Sequence, residues 1–147
     1  MKNINKATKY IIDVMFYIGI LCVVSVPFSS KYIGHYYGYN SFRTILFSAM
    51  LIVTGLAAVY ILFNLKKMFK TLINGNPFVS ENTNCLRKMS VTCMIIAVVY
   101  VLKCFLLFSF ATVIIVIVFG IGCMFCLVLK DIFSQSISYK EEHDWTV

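Results

Sequence analysis

Acidic residues are scarce in this chain. Six Asp and Glu stand against thirteen Lys and Arg in 147 residues. No apolar stretch holds two of the acids, which removes the carboxylate pairs that general acid–base work needs. Histidine occurs only as His35 and His143, and neither lies beside a Ser or Cys that it could activate. Both are far from the cysteines, so a metal set is missing as well. The chain therefore reads as a non-enzyme without cofactor or metal. Charge of either sign is low too, at 13% of residues against 61% hydrophobic. A soluble fold of this size could not hide so much apolar surface, so the excess must face lipid.

The six cysteines do not fill that gap. Five lie in apolar stretches and none in the predicted outer loop, so no disulfide framework follows. Cys123-x-x-Cys126 has a redox or zinc spacing, but it sits inside an apolar run and reads as core or lipid-facing thiols. Cys85 stands alone among polar residues, two positions from Arg87, a cation that could lower its pKa. An idle thiol is the plainer reading.

What is present is a set of long apolar runs. Spans are expected at about 10–28, 44–65, 89–108 and 111–129, since roughly 20 residues cross the hydrocarbon core. The last two divide one tract, Met89 to Leu129, that carries a single charge, Lys103. With no Gly or Pro to mark the turn, it is placed near Phe108 to Thr112. The first run is too long for a removable leader and lacks a small-residue cleavage site. The fold class is an all-α, integral membrane four-helix bundle forming a single domain.

The polar interval between the second and third spans, 66–88, organises the rest. It holds Lys66, Lys67, Lys70, Arg87 and Lys88 against one acid, Glu81. Retained Lys and Arg put it on the cytoplasmic side. Both termini and the tail, 130–147, then share that side. Ten of the thirteen basic residues fall there, and only Lys31 and Arg43 outside. That distribution is membrane topology and not a nucleic-acid footprint. It also permits attraction to anionic headgroups. Gly75 and Pro77 read as a helix stop, and Ser80 or Asn82 as the cap of the next helix.

Asp13, Asn64, Tyr100 and Lys103 are the polar residues within or beside the spans that could line a path. Asp13 falls four residues after Lys9 on one helix face, which makes a local ion pair the default. Lys103 either snorkels to the outer surface or turns inward to an acid or carbonyl. Gly55, Ala57 and Ala58 in the second span, with Gly120 and Gly122 in the fourth, permit close helix contact. The outer loop, 29–42, is rich in tyrosine. Tyr32, Tyr36, Tyr37, Tyr39 and Phe42 suit the headgroup layer, or form an aromatic cluster about His35. The acids Glu141, Glu142 and Asp144 are expected to fold back on the basic interval.

The run Asn74-Gly75-Asn76-Pro77-Phe78, followed by Glu81-Asn82 and Leu86-Arg87, resembles the central motif of a bacterial membrane family catalogued as domain of unknown function 2975. The ending Glu142-His143-Asp144-Trp145-Thr146-Val147 resembles that family's acidic tail, with His143 and Trp145 departing from the usual Asn and Leu. The resemblance implies four spans in the bacterial inner membrane and no assigned catalysis. It also implies frequent encoding beside a small helix-turn-helix regulator, hence a cytoplasmic protein partner.

The expected function is a membrane-anchored interaction protein whose loop and tail dock such a regulator. Pro77, Phe78, Asn82, Leu86 and Arg87, with Asp144, Trp145 and Val147, form the expected docking face. The alternatives are a small oligomeric transporter or channel using Asp13, Asn64, Tyr100 and Lys103, or immunity to a membrane-active toxin. The partners expected are the lipid bilayer, the regulator and further copies of the chain, without direct nucleic-acid binding.

Overall fold

The structure, a computed structural model, describes residues 2–36, 41–74, 78–106 and 108–146. Four helices account for nearly all of them: α1 (Lys2–Tyr36), α2 (Ser41–Ile73), α3 (Ser80–Leu106) and α4 (Phe110–Trp145). Each is long and apolar enough to cross a membrane. They pack in chain order, α1 on α2, α2 on α3 and α3 on α4. Among the described residues α1 meets neither α3 nor α4, and α2 does not meet α4. The bundle is thus a folded row with lipid-accessible faces, and α3 has a protein neighbour on both sides.

The helices outrun their apolar spans. α4 has 36 residues, about 54 Å at 1.5 Å per residue, against a hydrocarbon core of about 30 Å. α1 continues through Tyr36, so most of the expected outer loop is helix. Pro27 lies inside α1. A proline there removes a backbone donor. Nearby hydroxyls supply bonds to carbonyls: Ser25 Oγ donates to Leu21 O at 2.8 Å and Ser30 Oγ to Pro27 O at 3.1 Å. Tyr32, Tyr36 and Phe42 are exposed, whereas Tyr37 and Tyr39 lie outside the described residues. Thr54 Oγ1 donates in the same way to Met50 O at 2.7 Å, whereas the buried Thr112 Oγ1 has no partner among the described residues. Within hydrocarbon each polar group must find an internal partner.

The core lies along one face of α3. Cys85, Leu86, Met89, Cys93, Ile96 and Tyr100 are all buried, at helical spacing. Cys126 of α4 is buried too, and the Gly122 backbone lies against Cys93, whose Sγ would be 3.9 Å from an added Cβ. Gly120 meets nothing within that range and so does not serve close packing. The close approach between α1 and α2 is at Gly55, where an added Cβ would sit 2.6 Å from Val23 Cγ2. Gly19 lies against Val59 and Leu62.

Candidate functional site

The end of the bundle that gathers the polar residues is tied together by contacts between helices. Asp13 of α1 pairs with Lys66 of α2, Oδ1 to Nζ 2.9 Å. Lys67 of α2 pairs with Glu81 of α3 at 2.7 Å. The Phe78 ring, just before α3, meets Phe133 of α4 edge-on, with centroids 5.4 Å apart. These contacts bring the start of α1, the end of α2, the start of α3 and the far part of α4 to one end.

Asp13 therefore does not take Lys9, the partner that local spacing suggests. Lys66 also lies over the rings of Phe16 and Tyr17, at 5.5 and 5.9 Å. The α1–α2 hairpin presents this lysine at the right height, which the i,i+4 rule has no means to see. Between the apolar spans, Lys67 holds the Glu81 carboxyl below the usual glutamate range, and Glu81 in turn raises Lys67.

Asn82 does not cap α3. It lies within the first turn, buried, and its Oδ1 accepts a hydrogen bond from Thr71 Oγ1 at 2.8 Å. The backbone N–H groups of Asn82 and Thr83 donate to Val79 O. Leu86 is buried as well. Asn82 thus ties α3 to α2, and both residues are almost wholly covered within the structure. Of the other expected docking residues, Phe78, Arg87, Asp144 and Trp145 are exposed, Trp145 at 90%. Pro77 and Val147 lie outside the described residues, as do Gly75 and Asn76.

The tail does not fold back. α4 runs on as helix to Trp145, and Glu141, Glu142 and Asp144 are exposed on it. Among the described residues no ion pair joins them to the basic segment. The segment continues α4 as unbroken helix instead of doubling back. Cys85, beside Arg87 in sequence, is buried, and that burial pushes its thiol pKa up. Desolvation outweighs the opposing pull of Lys67 and Lys88.

The intramembrane polar groups are dispersed. Asn64 is buried and donates from Nδ2 to Tyr60 O within its own helix, 2.8 Å. Lys103 Nζ sits over the rings of Phe47 in α2 and Tyr100 in α3, each 5.3 Å away. It thus lies against aromatic faces, the attraction expected of a cation over a ring quadrupole, a partner type not anticipated from spacing. Among the described residues no group of three His, Cys, Asp or Glu could hold a metal.

Sequence reading missed the open recess between α3 and α4. About 390 Å³ in volume, it is lined by Ser80, Thr83, Asn84 and Arg87 of α3 and by Lys130, Ser134, Ile137 and Ser138 of α4. The signal was present as polar residues at helical spacing on both helices. It becomes visible only once those helices are known to run side by side past the apolar spans.

Four long apolar helices in a packed row define a multi-pass helical membrane protein. Within that class the family model described as Protein of unknown function (DUF2975) matches residues 2–147, and the chain belongs to this family. No curated protein and no solved structure matches it.

Proposed function

We propose that the protein is a membrane-anchored regulatory protein of the bacterial inner membrane. The end bearing Asp13, Lys67, Glu81 and α4's extension faces the cytoplasm and docks a protein partner. The basic residues clustered at that end support the orientation. The family resemblance suggests a small helix-turn-helix regulator as the partner.

One observation carries this reading: α4 projects as ordered helix to an exposed Trp145. A preformed helix loses little conformational entropy on binding. An exposed tryptophan is the residue type most enriched at binding hot spots. Asp144 adds charge beside it, and Phe78 offers a second apolar contact at the root of the projection. The Phe78–Phe133 contact couples the projection to the α2–α3 turn. A shift in helix packing would thus alter the docking face and the affinity for the partner.

A conduction path is less well supported, because the polar groups it would need are spent on separate contacts. Asp13 is taken by Lys66, Asn64 by Tyr60 O, and Lys103 by two rings. The test is affinity capture from native membranes with wild type, with Trp145→Ala and with residues 140–147 deleted. Wild type should retain a helix-turn-helix protein, and both variants should lose it. Equal recovery with all three would contradict the proposal.

A further inference from the structure

We propose that the exposed face of α3, centred on Arg87, binds one anionic phospholipid, its phosphodiester held by Arg87 and Lys130 and its acyl chains lying along α3. The inference goes beyond the docking reading: it gives Arg87, one of the expected docking residues, a lipid ligand.

Two recesses meet at this face. The first is the α3–α4 recess described above. The second, about 320 Å³, is lined by Tyr60 of α2 and by Asn84, Arg87, Lys88, Val91 and Thr92 of α3. Asn84 and Arg87 border both. Arg87 therefore borders a recess lined largely by hydroxyl residues and a second that includes Tyr60 and Val91. Among the described residues Arg87 has no ion pair. Lys130 pairs with its neighbour Asp131 at 3.1 Å, which leaves Arg87 as the principal cation. The nearest acid on α3, Glu81, is taken by Lys67.

The depth of the site selects the ligand. Arg87 and Lys88 immediately precede the third apolar run, and Lys130 immediately follows the fourth. All three cations therefore lie at the boundary of the hydrocarbon, where lipid phosphates lie. Hydroxyls line the polar recess on the water side. One of them, Thr83 Oγ1, is buried and takes no hydrogen bond among the described residues. Toward the membrane the same helix face turns apolar. Val91, Met94, Ile95, Val98 and Leu102 are all exposed, at helical spacing below Arg87. A charged fork above an uncovered apolar stripe matches an amphiphile with a phosphate head. Arginine's planar donors suit phosphate oxygens in particular. A free phosphate would use only the upper half of this surface.

The test uses full-length purified protein delipidated in neutral detergent and then supplied with phosphatidylglycerol or phosphatidylcholine. Retained lipid is counted by native mass spectrometry. Wild type should hold one phosphatidylglycerol in preference to phosphatidylcholine. Arg87→Gln and Lys130→Gln should each lower that preference by about fivefold, the factor expected for one basic group at an anionic surface. Arg87→Lys should retain part of it. Lys140→Gln, on α4 but outside the recess, should leave it unchanged. Millimolar inorganic phosphate should not displace the lipid. Equal retention of the two lipids by wild type would overturn the proposal, as would an unchanged preference in Arg87→Gln. An effect of Lys140→Gln equal to that of Arg87→Gln would replace the site with diffuse attraction. Displacement by inorganic phosphate would replace the lipid with a soluble anion. Should Arg87→Gln fail to fold, Lys130→Gln and Lys140→Gln carry the comparison. No partner protein is present, so the outcome is separate from that of the capture experiment.

Discussion

The two helix pairs are held together by different means. In the α3–α4 half, buried residues fill 39% of the most apolar window of α3 and 17% of that of α4. The corresponding shares are 6% in α1 and 0% in α2. α3 buries a continuous stripe from Asn82 to Tyr100, whereas the first pair buries little beyond Ile12, Ser30 and Asn64. The first pair relies on close backbone approach at Gly55 and Gly19, on one ion pair and on the Phe16–Phe63 ring contact. In lipid there is no hydrophobic force between apolar helices, so packing fit and polar contacts decide association. The comparison marks α3 as the structural centre and the α1–α2 pair as the part more easily shifted.

Substitutions can break that contrast. The largest effect is expected at Leu86, 2% exposed. Leu86→Ala should cost about 2–5 kcal/mol, the range for emptying a packed core position. Ile18→Ala, at an exposed α1 site, should stay within about 0.5 kcal/mol. Detergent-titrated unfolding followed by helical circular dichroism measures both, and similar costs would erase the difference between the pairs. Next comes Gly55→Ala. The new methyl group would lie 2.6 Å from Val23 Cγ2, on a β-branched side chain with little rotamer freedom. The expected loss is about 1–3 kcal/mol. Gly120→Ala, with open space around it, should show no such loss.

Smaller effects should come from the ion pairs. Asp13→Asn should lower the melting temperature and free α1 from α2, measured as faster hydrogen exchange in α1. The double variant Asp13→Asn, Lys66→Met should be no worse than the single one if the substitution removes the ion pair and nothing else. The smallest effect concerns Lys67 and Glu81, both solvent-facing. Because the folded state lowers the Glu81 pKa, this pair's contribution is present above the unfolded glutamate value, about 4.3, and fades as pH falls through the lower folded value. Because Lys67 is raised, its contribution is present below the free lysine value of 10.5 and fades as pH climbs above it. A wild type minus Glu81→Gln melting difference should be flat between those limits and shrink on both sides. A difference that grew in acid would contradict the pairing.

Sequence alone made much of this fold legible, through its apolar runs. Four long apolar helices could be read because each run has membrane length and basic residues near its ends. Contacts between distant segments could not be read. Local spacing offers Asp13 only Lys9, while the partner it finds, Lys66, arrives through the α1–α2 hairpin. Asn82 looked like a cap because its type favours that role, yet Thr71 lies opposite and draws it into the hairpin. The tyrosine-rich stretch after Pro27 resembled a loop by composition. Helix propagation is cheap once a long helix exists, and α1 continues to Tyr36. The basic recess was hidden for the same reason as the Asp13 pair, since its two walls, Ser80 to Arg87 and Lys130 to Ser138, lie far apart in a chain read in order.

The most direct test concerns which segments share an aqueous compartment. Single cysteines at Asn74 and Ser138, and separately at Ser41 and Phe108, in an otherwise cysteine-free chain, can be labelled with a membrane-impermeant maleimide in intact cells and in inverted vesicles. Positions 74 and 138 should label only in inverted vesicles, and positions 41 and 108 only from outside. Labelling of 74 and 138 from opposite faces would contradict the four-span row and the cytoplasmic docking end together.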